Sequence, residues 1–206
     1  EALVLDDYQA VMPLTGRKKF GLHYLAQPFL TAQLGVFGKN TDEEMLGDFL
    51  GAIPRKFRYC DIYLNHGNLF PRRPPEIYER LNLVLDLNAD HEQLEKKYRE
   101  NIHRNLKRSR EAGSYPHDTV DISQVIELAV SQMRSASDEI KINILNFRRL
   151  FDLLAGRGMA KVYAIVSPTK KVLASAVFFF SHGRAYYILV GNHPDGRRIG
   201  AFHALI

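Results

Sequence analysis

The order of elements in the last quarter of the chain places the strongest limit on its fold. Three short runs rich in β-branched and aromatic residues, at 160–166, 171–180 and 184–191, are typical of strands. The stretches between them, Pro168–Thr169–Lys170 and His182–Gly183, are turn sequences too short to hold a crossover helix. The pattern predicts three consecutive antiparallel strands, followed by a glycine- and arginine-bearing segment that leads into a helix.

The middle of the chain is predicted to be helical. One helix is expected to start at Asp90, with Gln93 as capping-box partner, and to end at Gly113. Outside a narrow apolar stripe, this helix is unusually basic. Two further periodic segments predict helices at 122–135 and 143–156.

The first part of the chain is predicted to contain short strands and one helix. The helix is expected at 41–52, with Thr41 as its N-cap and Glu44 as capping-box partner. Strands are predicted in a hairpin at 2–14 and at 20–27, 56–65 and 80–88. Hairpin, third strand, loop and helix therefore occur at both ends of the chain, roughly one domain length apart, which suggests an internal duplication. A chance similarity between two β-meanders is the alternative.

Composition narrows the class of protein. The single cysteine, Cys60, rules out an intrachain disulfide and favours a reducing compartment, so we expect a cytoplasmic protein. The longest apolar run, 173–180, is too short to span a bilayer. The eight histidines are scattered without ligand spacing, so no metal site is predicted. The chain begins at Glu1 and stops within a helix-like pattern, so we expect a piece of a longer protein.

The segment 195–201, DGRRIGA, has the composition of a phosphate-binding loop. Backbone N–H groups at the start of a helix attract phosphate, glycine allows close approach, and arginine adds charge-assisted hydrogen bonds. The alternative is a simple turn at Pro194–Asp195–Gly196, with solvated arginines and a tight helix contact at Gly200.

These residues carry a resemblance to a known superfamily. The end of the chain resembles the GNAT acyltransferases, in which three antiparallel strands lead into a pyrophosphate-binding loop with the motif Arg/Gln-x-x-Gly-x-Gly/Ala. Arg197 and Gly200 match the first and fourth positions, but Phe202 stands at the sixth, and Ala201 could replace it with a one-residue shift. The overall layout and the segment NIHRNLKRSREAG, residues 101–113, are similar to the Fem-type branch, whose members contain two GNAT-like halves.

The resemblance implies an α+β fold with two GNAT-like halves, each a mostly antiparallel sheet flanked by helices. It implies an N-terminal half at 1–89, a basic helix and connecting helices at 90–157, and the start of a C-terminal half at 158–206. The implied activity is transfer of an acetyl or aminoacyl group from acyl-CoA or aminoacyl-tRNA to an amine acceptor. The leaving-group acid of this superfamily usually follows the point where the chain stops, so we expect the isolated piece to be inactive.

The resemblance also implies the site residues. Backbone groups of Leu189, Val190 and Gly191 would contact the acyl group and its oxyanion, exposed by a bulge near Gly191–Asn192. The donor phosphates would be held by the segment formed by Gly196, Arg197, Arg198, Ile199, Gly200 and Ala201. His193 is the nearest titratable group and the candidate proton acceptor, although a plain surface histidine is an alternative.

The basic helix has two interpretations. Its cationic face is either simply solvated or contacts an anionic partner such as tRNA or the acceptor substrate. The candidate contact residues are Arg99, His103, Arg104 and Lys107. Two functions outside catalysis therefore stay open: a non-catalytic GNAT-like binding scaffold, which Phe202 favours, and an RNA- or tRNA-binding protein that uses residues 90–112.

Overall fold

The computed structural model describes residues 1–39, 41–72, 74–133 and 138–205, and it combines helices with mainly antiparallel sheets. The predicted α+β class is confirmed. The chain divides into two compact units, Glu1–Leu85 and Asp86–Ile206. The last two residues of the helix predicted at 122–135, residues 134 and 135, lie outside the described residues.

The first unit contains two hairpins. The predicted one joins β1 (Ala2–Leu5) to β2 (Ala10–Pro13), and the second joins β3 (Gly16–Lys19) to β4 (Leu22–Ala26). Two more strands complete two separate sheets: β5 (Phe37–Gly38) beside β2, and β6 (Phe57–Asp61) parallel to β4. The strand predicted at 20–27 is therefore present as β4, but it pairs with β3 and β6 instead of extending the first hairpin.

The helix of the first unit, α1 (Glu43–Gly51), begins one residue later than predicted. Its N-cap is Asp42, not Thr41, because the Asp42 carboxylate accepts a hydrogen bond from the Met45 N–H at 2.8 Å. Leu46 and Phe49 of α1 are buried in a core that includes Met12, Leu25 and Val36.

The strand predicted at 80–88 is wrong. All nine residues are described, and they form neither helix nor strand. Leu81, Leu83, Leu85 and Leu87 are between 61% and 87% exposed. Alternation alone does not make a strand, because a strand also needs a hydrogen-bonded neighbour, and the described sheets supply none to this segment.

The second unit begins with two helices where one was predicted. Asp90 caps α2 (His91–Glu95) through a 2.8 Å hydrogen bond from the Gln93 N–H, as predicted. The chain then leaves the helix and resumes as α3 (Glu100–Glu111), which ends before Gly113 at φ +69°. The apolar stripe could not distinguish one helix from two, since both arrangements cover the same side chains.

A four-stranded antiparallel sheet forms the centre of the second unit. After β7 (Tyr115–His117), which the sequence did not predict, come α4 (Ile122–Val130) and α5 (Asp138–Ala155). The three predicted strands follow as β8 (Ala160–Val166), β9 (Val172–Ser181) and β10 (Arg184–Asn192). The strand order is β10-β9-β8-β7, so the predicted meander is confirmed and β10 lies at the edge of the described sheet.

The two faces of this sheet carry different groups. On one face, Leu128 of α4 packs over Gly191, and Phe147 of α5 stacks on Phe179 with ring centroids 5.9 Å apart. On the other face lies a row of neighbouring rings, formed by Tyr163, Phe178, Tyr187 and Phe202.

Candidate functional site

The segment predicted as a phosphate loop is a short helix. After β10 the chain enters α6 (Pro194–Ile199) directly, and a 3₁₀ helix follows at Ala201–Ala204. The local sequence explains this: Pro194 stands in the first turn, where its missing N–H is harmless, and Gly200 ends the helix at φ +73°. Arg197 and Arg198 therefore lie in the last turn of a helix and not in a loop before one.

α6 lies directly on the backbone of β9. The Leu173 carbonyl oxygen accepts a hydrogen bond from the His193 N–H at 2.9 Å. A Cβ at Gly196 would overlap that oxygen and lie 2.8 Å from the carbonyl carbon. Glycine at this position is therefore required by close contact between a helix and a strand.

The basic helix α3 supports the end of α6. A Cβ at Gly200 would lie 2.7 Å from the Asn105 Cβ, so α3 packs tightly against this turn. Arg108 Nη1 also donates a hydrogen bond to the Arg198 carbonyl oxygen at 3.3 Å. The structure thus brings the predicted donor segment and the basic helix together, a contact that links residues 90 positions apart.

The charged side chains of α6 form hydrogen bonds and ion pairs. Arg197 Nη2 donates a hydrogen bond to Gln132 Oε1 at 2.9 Å, just beyond α4. Arg198 is exposed and lies 3.8 Å from Asp195, which also pairs with Lys171 at 2.8 Å. The hydrogen bond and charge of Lys171 lower the pKa of the Asp195 carboxyl below its usual range. Both arginine side chains remain exposed to solvent.

His193 is the N-cap of α6. Its ring Nδ1 accepts a hydrogen bond from the Asp195 N–H at 3.1 Å, and its side chain is 28% exposed. The Nδ1 lone pair cannot accept this hydrogen bond and a proton from a substrate amine at the same time. The observed geometry gives the histidine a capping role.

The bulge predicted at Gly191–Asn192 is wrong. β10 pairs with β9 without interruption there, and the register shifts instead between Tyr187 and Leu189. The physical reason is the packing of α4, since a Cβ at Gly191 would lie 2.8 Å from Leu128 Cγ. Gly191 serves close helix contact, which is the other common use of glycine in a strand.

Two buried polar atoms near this point were missed by the sequence analysis. Ser175 Oγ and Asn192 Oδ1 have no hydrogen-bond partner among the described residues. Ser175 pairs with Gly191 across the two strands, and Asn192 is the last residue of β10. Buried polar groups without partners are unfavourable and uncommon. The available signal was a serine inside the apolar run of β9 and an asparagine at the end of β10.

The remaining predicted residues fall into two groups. Ile199 and Ala201 pack in an apolar cluster with Ile165 and Ala174, and Phe202 contacts the same cluster. Arg99, the N-cap of α3, forms an exposed basic stripe with His103 and Lys107, and exposed Arg104 lies beside this stripe. Lys107 lies 3.8 Å from Glu111 in this stripe.

Tyr187 belongs to the ring row on the opposite sheet face. Its ring lies 5.2 Å from that of Phe178 and 6.3 Å from that of Phe202. Burial raises the pKa of the Tyr187 phenol well above its usual value, so the group stays protonated near neutral pH. Beside this row, a groove of about 260 Å³ is bordered by Tyr163, His117 and Leu205.

The described residues contain no cluster of three or more His, Cys, Asp or Glu side chains that could hold a metal ion. Among the helices that the structure describes, none has the length and apolar character needed to cross a bilayer.

A known protein family matches part of the chain. Residues 96–206, slightly more than half of the chain, match the protein family described as Acetyltransferase (GNAT) domain. The matched range includes α3, the four-stranded sheet and α6. No curated protein matches the chain.

Proposed function

Because the chain belongs to the acetyltransferase (GNAT) domain family, we propose that it transfers an acyl group to an amine. The donor we propose is acetyl-CoA or another acyl-CoA, and the acceptor is a molecule that carries a primary or secondary amine. The observation that carries this proposal is the seating of α6 at the end of β10. This arrangement places two exposed arginines in the short helix that directly follows an edge strand of the described sheet.

The proposed phosphate site consists of Arg197, Arg198 and the turn at Gly200. Arginine is suited to phosphate because its guanidinium donates several hydrogen bonds in a fixed plane. The anchoring contacts of α6 on Leu173 and Asn105 fix the backbone that carries the two arginines, which reduces the entropy lost on binding. Gly196, Ile199 and Ala201 contribute by packing, since they lie against β9 or in the apolar cluster.

The proposed acyl site follows the outer edge of β10. Leu189, Val190 and Gly191 lie on the edge strand of the described sheet, where backbone groups alternate between the partner strand and the open side, and we propose that those on the open side contact the acyl group and its carbonyl oxygen. The donor supplies an activated acyl group, and the protein supplies orientation and oxyanion stabilisation. The acceptor amine attacks the acyl carbonyl carbon, the carbon–sulfur bond of the acyl-CoA breaks with its electron pair leaving on the coenzyme A thiolate, and the proton lost from the amine passes to a base.

The general base stays unassigned. His193 is the sequence candidate, but its Nδ1 lone pair caps α6. We propose His193 as a positioning residue that fixes the start of α6, and Asn192 as a polar contact for the substrates, because its buried Oδ1 has no partner among the described residues.

A Fem-type enzyme with an aminoacyl-tRNA donor is the second candidate. It is supported by the stripe of Arg99, His103 and Lys107, which recurs at four-residue spacing along one side of α3. Arg104 lies beside this stripe. Since α3 contacts α6, a bound tRNA would lie next to the proposed donor site. We also propose a cytoplasmic location, supported by the single exposed cysteine, Cys60.

A non-catalytic scaffold is the remaining alternative. It is favoured by Phe202, which fills a position where the family motif has a small residue and which packs against the ring of Tyr187. A bulky side chain there leaves less space for a phosphate group beside the backbone.

Thermal unfolding with and without acetyl-CoA separates these functions. A ligand at about 100 times its dissociation constant stabilises the folded state by roughly 2.7 kcal/mol. We expect this shift in the unaltered chain and its loss in Arg197→Ala with Arg198→Ala. The control is Arg149→Ala with Arg157→Ala, which removes the same charge from other exposed positions of the second unit.

If acetyl-CoA has no effect, the same experiment with aminoacyl-tRNA tests the second candidate. Binding should then weaken steeply with salt, by roughly one power of the salt concentration for each phosphate contact. Substitution of Arg99 and Lys107 should reduce that dependence. No binding of either donor would leave the scaffold as the best description.

A further inference from the structure

The hairpin of β3 and β4 in the first unit ends in an exposed phenylalanine. Phe20 is 92% exposed and lies at φ +50°, followed by Gly21 at φ +80°. Two central residues at positive φ define a tight turn that normally takes Asn-Gly or Gly-Gly. A bulky aromatic residue is unfavourable in this conformation. The turn itself therefore does not explain the phenylalanine.

The neighbours of Phe20 are apolar or cationic. Leu22 is 61% exposed and pairs with Lys19 across the hairpin, and the Lys19 ammonium lies 5.4 Å from the Phe20 ring centre. Arg17 and Lys18 precede them on β3. We call residues 17–22 the basic hairpin tip.

The cationic character extends below the tip. A groove beside the hairpin is bordered by the cationic or titratable side chains of Arg17, Lys18, His23 and Lys56. The acid in that groove is Glu1, and it pairs with Lys56 at 2.7 Å. The groove lining therefore contains three side chains that are cationic at neutral pH and one that is anionic.

We propose that the basic hairpin tip docks on an anionic lipid surface. Phe20 and Leu22 enter the region between headgroups and acyl chains, while Lys18 and Lys19 keep their ammonium groups at the headgroups. A bilayer interface matches both properties at once, because it offers an apolar layer directly beneath negative charge. Single-stranded nucleic acid fits less well, because leucine offers no aromatic surface for a base to stack on.

The same unit contains a matched control. Tyr8 lies in the turn between β1 and β2, at φ +58° and 76% exposed. It resembles Phe20 in exposure and backbone conformation, but its neighbours are Asp6 and Asp7. An anionic surface should repel that turn, so Tyr8 should contribute nothing to lipid binding.

The test is co-sedimentation of the full 206-residue chain with phosphatidylcholine vesicles that contain or lack phosphatidylserine. We expect binding only to the phosphatidylserine vesicles. Phe20→Asn should weaken it about tenfold, from the lost burial of one aromatic side chain. Lys18→Gln with Lys19→Gln should weaken it about fivefold for each charge removed. Tyr8→Asn should leave it unchanged.

Phe20→Asn is also expected to fold well, because asparagine suits this turn better than phenylalanine. Equal binding by Phe20→Asn and the unaltered chain would overturn the proposal. Binding to polyglutamate, a soluble acidic polymer, would also overturn the proposal if it depended on the lysines but not on Phe20. That result would indicate an acidic macromolecule as the partner. The result is independent of the proposed acyltransferase site, which lies in residues that these variants do not alter.

Discussion

Replacement of Gly196 by alanine tests whether α6 is seated on β9. Alanine in a helix is favoured over glycine by about 1 kcal/mol, so an unobstructed site would gain stability. At Gly196 the new methyl would overlap the Leu173 carbonyl oxygen and lie 3.2 Å from the Leu173 Cβ. Backbone cannot rotate away, so we take the upper end of the overpacking range, about 3 kcal/mol.

If α6 moves away from β9 to relieve this overlap, the hydrogen bond from the His193 N–H to the Leu173 carbonyl breaks. The loss of this bond costs about 1 kcal/mol more. The net loss is about 3 kcal/mol after the helix-propensity gain. A unit of this size should then melt about 12 °C lower. Scanning calorimetry measures this change.

Gly47→Ala is the matched control, because this glycine is also helical, in α1, and nothing that the structure describes lies within 4 Å of its added Cβ. That variant should gain up to about 1 kcal/mol. The same substitution therefore has opposite signs at the two positions. A neutral or stabilising Gly196→Ala would refute the contact between α6 and β9.

Three further predictions concern the second unit. Gly200→Ala should lower the free energy of unfolding in urea by about 3 kcal/mol, since it adds a clash with α3 to the strain of positive φ. Gly158→Ala is the control, because Gly158 also has a positive φ, of +68°, but has open space in the described surroundings. It should cost about 1 kcal/mol. Equal losses would argue against tight packing of α3. Ser175→Ala should raise the free energy of unfolding by about 1 kcal/mol, because it removes a buried hydroxyl without a partner, and a loss in the same assay would mean that the hydroxyl is satisfied. The lowered pKa of Asp195 stabilises the fold above the usual aspartate value of 3.8, and this contribution disappears as the pH falls through the lowered pKa. The melting temperature of the unaltered chain should therefore fall more steeply in acid than that of Asp195→Asn, and parallel curves would contradict the pairing with Lys171.

Local signals predicted three of the four strands in the described sheet of the second unit, and β7 was missed. The runs that became β8, β9 and β10 combine apolar content with turn residues at the right spacing, and these properties act over a few residues. The basic strand β3 was missed because its stability comes from backbone pairing with β4, and Arg17–Lys18–Lys19 shows no apolar alternation.

The segment predicted as a phosphate loop forms a helix instead. Pro194 and Gly200 are ordinary start and stop residues of a helix, and together they explain α6. The contact of Gly200 with Asn105 could not be predicted, because no local pattern reports which distant surface a helix packs against. The same limit applies to Gly191, whose role depends on Leu128 of α4.

The most direct test of the central proposal is hydrogen–deuterium exchange of the chain with and without acetyl-CoA. If the donor binds at the end of β10 and on α6, exchange should slow across residues 189–201, and Arg197→Ala with Arg198→Ala should abolish the effect. The stripe on α3 should change little. Protection that is absent from 189–201, or confined to the first unit, would contradict a donor site at this position.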